Sequence, residues 1–241
     1  MEWTDKAILL SARPYGETGT IVDFLTREHG RHLGLVRGVR TKGLLQPGNG
    51  FSVTWRARLA EQLGSYAVEL ARARAGMLME RGESLTGLNA FCAIAACTLP
   101  EHQAHPPLYD AAEILLDAMT GEDFAHWGAL YVRWEAGLLE VLGFGLDFSK
   151  CAATGVTADL IYVSPRTGRA ISQSAGADYA KRLLPLPPFL LGPAAAPDVK
   201  ATGQGLTLTG HFLLERVLLP HGRELPQARH RLAVLALRES R

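Results

Sequence analysis

Seven cations lie between residues 27 and 58, Arg27, Arg31, Arg37, Arg40, Lys42, Arg56 and Arg58, against the single acid Glu28. Six of the seven are arginines. Their planar fork matches phosphate oxygens two at a time, where an ammonium offers only a point charge. The chemistry this suggests is the holding of a polyanion rather than the breaking of a bond. Trp3, Tyr15, Phe51 and Tyr66 fall in the same part of the chain and offer faces on which bases stack. A solvated rim with aromatics in the core is the competing reading. The density of arginine favours a groove for nucleic acid. For Phe51 and Trp55, set in an alternating row, the core is the expected fate.

A second basic cluster closes the chain, and Arg223, Arg229 and Arg231 are its candidates for a secondary basic site. Cations late in a terminal helix also complement the helix dipole, so a stabilising role competes there. Catalytic signals are weak. There is no glycine-lysine phosphate loop, and His102 and His105 have no third ligand at metal spacing. Cys92, Cys97 and Cys151 are too few for a disulfide framework and fit a reducing cytoplasm. The expectation is a protein that is not an enzyme, with no cofactor and no metal. The opening Met1-Glu2-Trp3-Thr4-Asp5 lacks the positive start of a signal peptide, and no long apolar run follows, so a membrane span is not expected.

The chain of 241 residues carries a formal net charge of only +1, which hides an asymmetry. Residues 1–81 hold twelve Lys and Arg against eight Asp and Glu, giving +4; residues 82–200 give −6 and residues 201–241 give +3. Two basic ends therefore flank an acidic middle, which either builds a local anion-binding surface or docks one part on another.

The elements that must position these cations change character near residue 80. Lys6–Ser11, Thr20–Thr26, Arg31–Arg40, Phe51–Leu59 and Ser65–Leu70 read as short strands, broken by Arg13-Pro14-Tyr15-Gly16, His29-Gly30 and Gln46-Pro47-Gly48-Asn49-Gly50. In the fourth, Phe51, Val53, Trp55, Ala57 and Leu59 share one face, which sends Arg56 and Arg58 to the other. Gly34 and Gly38 inside the third mark a bulge or a tight bend of a small barrel. Five kinked strands in so short a stretch match a small Greek-key barrel of the OB-fold type. Helical spacing follows: one helix with Ser84 as its N-cap candidate, one from Pro106-Pro107, a long one from Asp123 stopped by Gly143 and Gly145, then Leu206–Leu219 and Gln227–Arg238. The fold class is α+β, with a five-stranded OB-fold domain over residues 1–80 and a C-terminal helical domain over residues 81–241. An irregular insert is expected at 149–172 and a proline- and alanine-rich connector at 185–200.

The chain also resembles the RecO recombination mediators of bacterial DNA repair. The likeness is carried by Trp3–Leu10 leading to Arg13-Pro14-Tyr15-Gly16-Glu17-Thr18, by Arg31–Arg40 with Lys42, by Leu45-Gln46-Pro47, and by Arg133-Trp134-Glu135 with Leu138–Asp147 and Cys151. It covers nearly the whole chain in order. The resemblance implies an OB-fold followed by a helical domain, no catalytic turnover, and binding of single- and double-stranded DNA with annealing of complementary strands. It further implies partnership with RecR and with the acidic C-terminal tail of single-stranded-DNA-binding protein, in the cytoplasm and associated with the nucleoid. Many members of the family carry a four-cysteine zinc ribbon. Here Cys151 is joined by Thr154, Ser172 and Ala175 at the corresponding places, which implies no zinc.

The rival to a mediator is an adaptor that receives acidic peptides, with Arg133 as the partner-peptide candidate and DNA binding incidental. An RNA-binding barrel is compatible with the same charges. A hydrolase lacks any assembled nucleophile and base.

Overall fold

The computed structural model describes residues 1–38, 42–59, 62–192 and 196–239. Five strands, β1 (Glu2–Tyr15), β2 (Gly19–Thr26), β3 (Gly30–Arg37), β4 (Gly50–Arg56) and β5 (Ser65–Arg72), close into a barrel in the order β1-β2-β3-β5-β4. β1 is long enough to serve two neighbours. It pairs with β4 from Glu2↔Arg56 to Ile8↔Gly50 and with β2 from Ala7↔Thr26 to Tyr15↔Gly19, and a register shift between Leu9 and Ser11 bends it. A parallel contact of β3 with β5, Leu35↔Ser65 and Val36↔Tyr66, completes the ring. This is the OB-type barrel expected from the alternation.

Inward positions carry the apolar side chains. Ala7, Leu9, Val22, Phe24, Val36, Phe51, Val53, Trp55 and Tyr66 form the barrel core. Gly34 stands where a Cβ would come within 2.4 Å of the Tyr66 ring, and the β2–β3 register runs through it unbroken, so this glycine serves a close approach and not the bulge expected. The strands end sooner than the alternation suggested. β3 stops at Arg37, before Gly38 with φ +113°, and β4 stops at Arg56, leaving Leu59 58% exposed instead of on the inner face. Phe51 and Tyr66, offered as stacking faces, are 2% and 5% exposed and belong to the core, as does Trp55.

Contacts divide the chain into two compact units, Met1–Gly121 and Glu122–Arg241. The first joins to the barrel the helices α1 (Ala75–Glu80), α2 (Gly82–Thr98) and α3 (Pro106–Gly121). The switch from strand to helix falls near residue 75, but the change of compact unit falls between Gly121 and Glu122. Ser84 is not a cap. It lies inside α2, fully buried, and its hydroxyl donates to the Met119 carbonyl at 2.7 Å.

The second unit begins with α4 (Phe124–Val141), capped by Asp123, whose carboxylate accepts from the His126 N–H, and ended by Gly143 with φ +86°. The stretch after it is more regular than expected. β6 (Leu160–Val163), β7 (Ala170–Ser172) and β8 (Leu184–Pro185) form a small sheet in the order β7-β6-β8, with a single turn, α5 (Gln173–Gly176), between the last two. Short strands interrupted by turns give too little periodicity to be read from sequence. Then α6 (Val199–Phe212) passes into a wider π turn over Leu213–Leu218, and α7 (Gln227–Glu239) closes the described chain. No helix among the described residues is long and apolar enough to cross a membrane.

Candidate nucleic-acid interface

In β3 even-numbered residues from Gly30 to Val36 are buried, so Arg31, Leu33, Leu35 and Arg37 face outward. Register carries that outward face across the sheet. Arg37 lies opposite Gly19, and Gly19 opposite Tyr15; Leu35 lies opposite Ile21, and Ile21 opposite Arg13. The outer surface of β1-β2-β3 therefore presents two rows, Tyr15-Gly19-Arg37 and Arg13-Ile21-Leu35. Gly19 keeps the first row low: a Cβ there would meet Leu35 Cδ1 at 3.1 Å and the Tyr15 ring at 3.6 Å. Tyr15 is 58% exposed, and Arg13 and Arg37 are exposed beside it. An exposed ring with two exposed arginines on the same face offers a stacking surface with cations beside it.

Two loops border the platform. Lys42 Nζ donates to the Glu17 carbonyl at 3.1 Å, which brings this cation to the β1–β2 turn. The Leu35 N–H donates to the Gly64 carbonyl at 3.2 Å, which brings Gly64 to the edge of β3, and Arg58, Leu59 and Leu63 of the same β4–β5 connection are exposed. Strands 2 and 3 with their flanking loops form the usual ligand face of this fold class. Arg13 was read in the sequence only as part of a turn signal. Its outward phase relative to Arg37 is set by the β1 bulge, which no local pattern reveals.

The other predicted contacts are placed differently. Arg31 is no groove residue: it is 16% exposed, with Nε on both Asp23 oxygens at 3.0 and 3.2 Å, Nη1 on the Leu99 carbonyl and Glu101 at 3.6 Å. It braces β2, β3 and the α2–α3 connector. Burial pushes the Asp23 carboxyl up, against the pull of Arg31. Arg27 forms a two-pronged pair with Asp110 of α3, both contacts at 2.9 Å, and also meets Glu28. Arg56 remains 62% exposed but pairs with Glu2 at 2.8 Å. Arg40 lies outside the described residues. Of the seven, Arg37, Lys42 and Arg58 keep exposed side chains with no carboxylate partner among the described residues.

In the second unit, Arg229 is not a basic surface site. It is 2% exposed, bound through Nε and Nη2 to the two oxygens of Glu135 at 2.6 and 2.9 Å, and it also donates to the Leu206 carbonyl. Arg223 and Arg231 are exposed. Arg133 donates to the Phe189 carbonyl at 2.7 Å and lies over that ring, so its fork is partly occupied within the unit. Cys151 is 1% exposed and its sulfur accepts from the Ser172 N–H at 3.3 Å. Threonine and serine hydroxyls and an alanine methyl cannot complete a tetrahedral nitrogen–sulfur set around one thiol, so these residues do not fit zinc.

Comparison with known proteins agrees with this architecture. Residues 1–74 match the family model described as recombination protein O N terminal, and residues 79–224 match recombination protein O C terminal. The chain is 52% identical over 236 residues to the DNA repair protein RecO of Rhodospirillum centenum, covering 96% of this chain and 93% of that one. It is 50% identical to the DNA repair protein RecO of Rhodospirillum rubrum, covering 96% and 94%. It is 45% identical to that of Methylorubrum extorquens, with both chains covered completely. With barrel and helical unit matched in order and likeness running from end to end, the chain belongs to the RecO family.

Proposed function

We propose that this protein is a recombination mediator of DNA repair that holds single- and double-stranded DNA on the outer face of β1-β2-β3 and brings complementary strands together. The observation that carries the reading is the Arg13-Tyr15-Arg37 platform, bordered by Lys42 and Arg58. Cations offset the repulsion between two phosphate backbones, and base pairing itself supplies the drive, so no bond is made or broken by the protein and no nucleotide is consumed. The family further supports partnership with RecR and with the acidic tail of single-stranded-DNA-binding protein, so that recombinase loads on coated strands in the cytoplasm.

A salt titration of single-strand binding tests this. Four platform cations in contact with phosphates give a slope of log affinity against log salt of about −3. The double change Arg13→Ala, Arg37→Ala should make that slope shallower by about 1.4 and weaken all sequences alike, because phosphates carry no sequence information. An unchanged slope in that variant refutes the platform.

A further inference from the structure

α3 carries Asp110, Glu113 and Asp117 at i, i+3 and i+7, one stripe of its surface. Each meets barrel arginines. Glu113 and Asp117 hold Arg74, which is 2% exposed, through contacts at 2.9 and 2.6 Å, and both also reach Arg72. That end is a buried anchor. The Asp110 end is different. Asp110 is about half exposed, and its carboxylate fills the fork of Arg27, itself 36% exposed. The Arg27 guanidinium holds this carboxyl below the usual range.

Asp110 and Arg27 border an open cavity of about 550 Å³ whose other walls are Thr4, Asp5, Lys6, Glu28 and Ser52. Lys6 is exposed, and its carbonyl accepts from the Arg27 N–H at 3.1 Å, so the two cations are neighbours. Asp5 is occupied elsewhere, accepting from the Lys6 and Glu28 N–H groups and facing His29. Arg27, Lys6 and Ser52 line this hollow together with the acids Asp5, Glu28 and Asp110, and the Thr4 hydroxyl is paired with that of Thr54. The group now filling the Arg27 fork is a carboxylate, an anion that binds a guanidinium two oxygens at a time as a phosphate does.

We infer that the Lys6–Arg27 hollow is a second phosphate-binding site of the barrel, kept closed by Asp110 of α3 acting as an internal competitor for the nucleic-acid strand. The inference rests on the DNA-binding reading above and adds a second contact to it. Lys6 and Ser52 belong to the β1–β4 side, whereas Arg13 and Arg37 belong to the β1-β2-β3 side, so a strand on the platform leaves this hollow accessible. Sequence charge agrees. Residues 1–81 hold four more basic than acidic groups, yet residues 1–121 hold twelve basic against thirteen acidic. The acids of the α2–α3 region offset the barrel's excess.

The test is binding of a labelled single-stranded oligonucleotide across salt to the full chain and its variants. Asp110→Asn keeps the shape of the side chain, and α3 stays anchored through Arg74. One extra phosphate contact should steepen the salt slope by about 0.7 and tighten binding about fivefold at 0.1 M salt. Glu28→Gln, which frees Arg27 from its other acid, should act in the same direction with smaller effect. Arg27→Ala combined with Asp110→Asn should return affinity and slope to those of the unaltered chain. Unchanged binding in both Asp110→Asn and Glu28→Gln overturns the inference. So does a gain that survives Arg27→Ala, because the Arg27 fork would then not be its source, or an equal gain in Glu80→Gln, which adds the same net charge outside the hollow. Either failure leaves the platform intact, since that stands or falls on Arg13→Ala, Arg37→Ala.

Discussion

Two arginines with the same sequence credentials have opposite fates, and the neighbouring acid decides. Arg229 lies with Glu135 in a buried pair that Thr209 completes, donating to Glu135 at 2.5 Å. Both charges are removed from water, so each depends on the other for its solvation. Arg229→Ala leaves an uncompensated buried carboxylate and should cost about 3–5 kcal/mol of stability by urea denaturation. Strand affinity measured at a temperature where the variant is folded should stay within twofold of the unaltered chain. A loss of affinity without a loss of stability would return Arg229 to the role of a phosphate contact. Arg37, by contrast, has no acid opposite it in its register row, only Gly19 and then Tyr15, and its charge stays available.

At the scale of elements, one end of the barrel is closed by rings. Trp3 stacks on His29 at 3.9 Å and on Trp55 at 5.6 Å, while His32 meets Trp55 edge-on at 5.0 Å and His102 at 4.4 Å. The α2–α3 connector lies against β3 here. His102 N–H donates to the Arg31 carbonyl, and a Cβ on Gly30 would fall 2.1 Å from the Gln103 carbonyl oxygen. Burial, reinforced by the nearby charge of His102, brings the His32 imidazole down from 6.5 to about 4. The folded state therefore binds this proton less readily than the unfolded chain does. Its contribution to stability is complete above pH 6.5 and is lost as pH falls from there toward 4. Between pH 8 and 5 the loss is on the order of 2 kcal/mol. His32→Phe, which keeps a ring among rings, should flatten that part of a stability–pH profile measured by chemical denaturation. An equally steep profile in the variant would assign the slope to other groups.

For the whole molecule, basic residues are distributed by use. Arg31 braces strands, Arg74 anchors a helix, and Arg13 and Arg37 stay exposed on the outer face of β1-β2-β3. Annealing of complementary strands by the full chain should proceed without nucleotide and slow as salt rises. The Arg13→Ala, Arg37→Ala variant should lose annealing rate in proportion to its loss of binding. A rate that does not follow binding would detach annealing from the platform and assign it to the helical unit.

Much of this was legible in the linear chain because it depends on local pattern. Alternation at Phe51–Trp55 fixed which side chains enter the barrel, and Asp123, Pro106 and Gly143 set helix ends through caps and forbidden backbone. Family likeness was visible in other passages, Trp3–Leu10, Arg31–Arg40, Leu45-Gln46-Pro47 and Leu138–Asp147. Long-range pairing was not. Which arginine meets Asp23, Asp110 or Glu135 depends on partners 8, 83 and 94 positions away. Whether Arg13 shares a face with Arg37 depends on a bulge. Charge counts are additive along a chain, but a charge is available to a ligand only where folding leaves it without a counter-ion, and that was decided by tertiary structure alone.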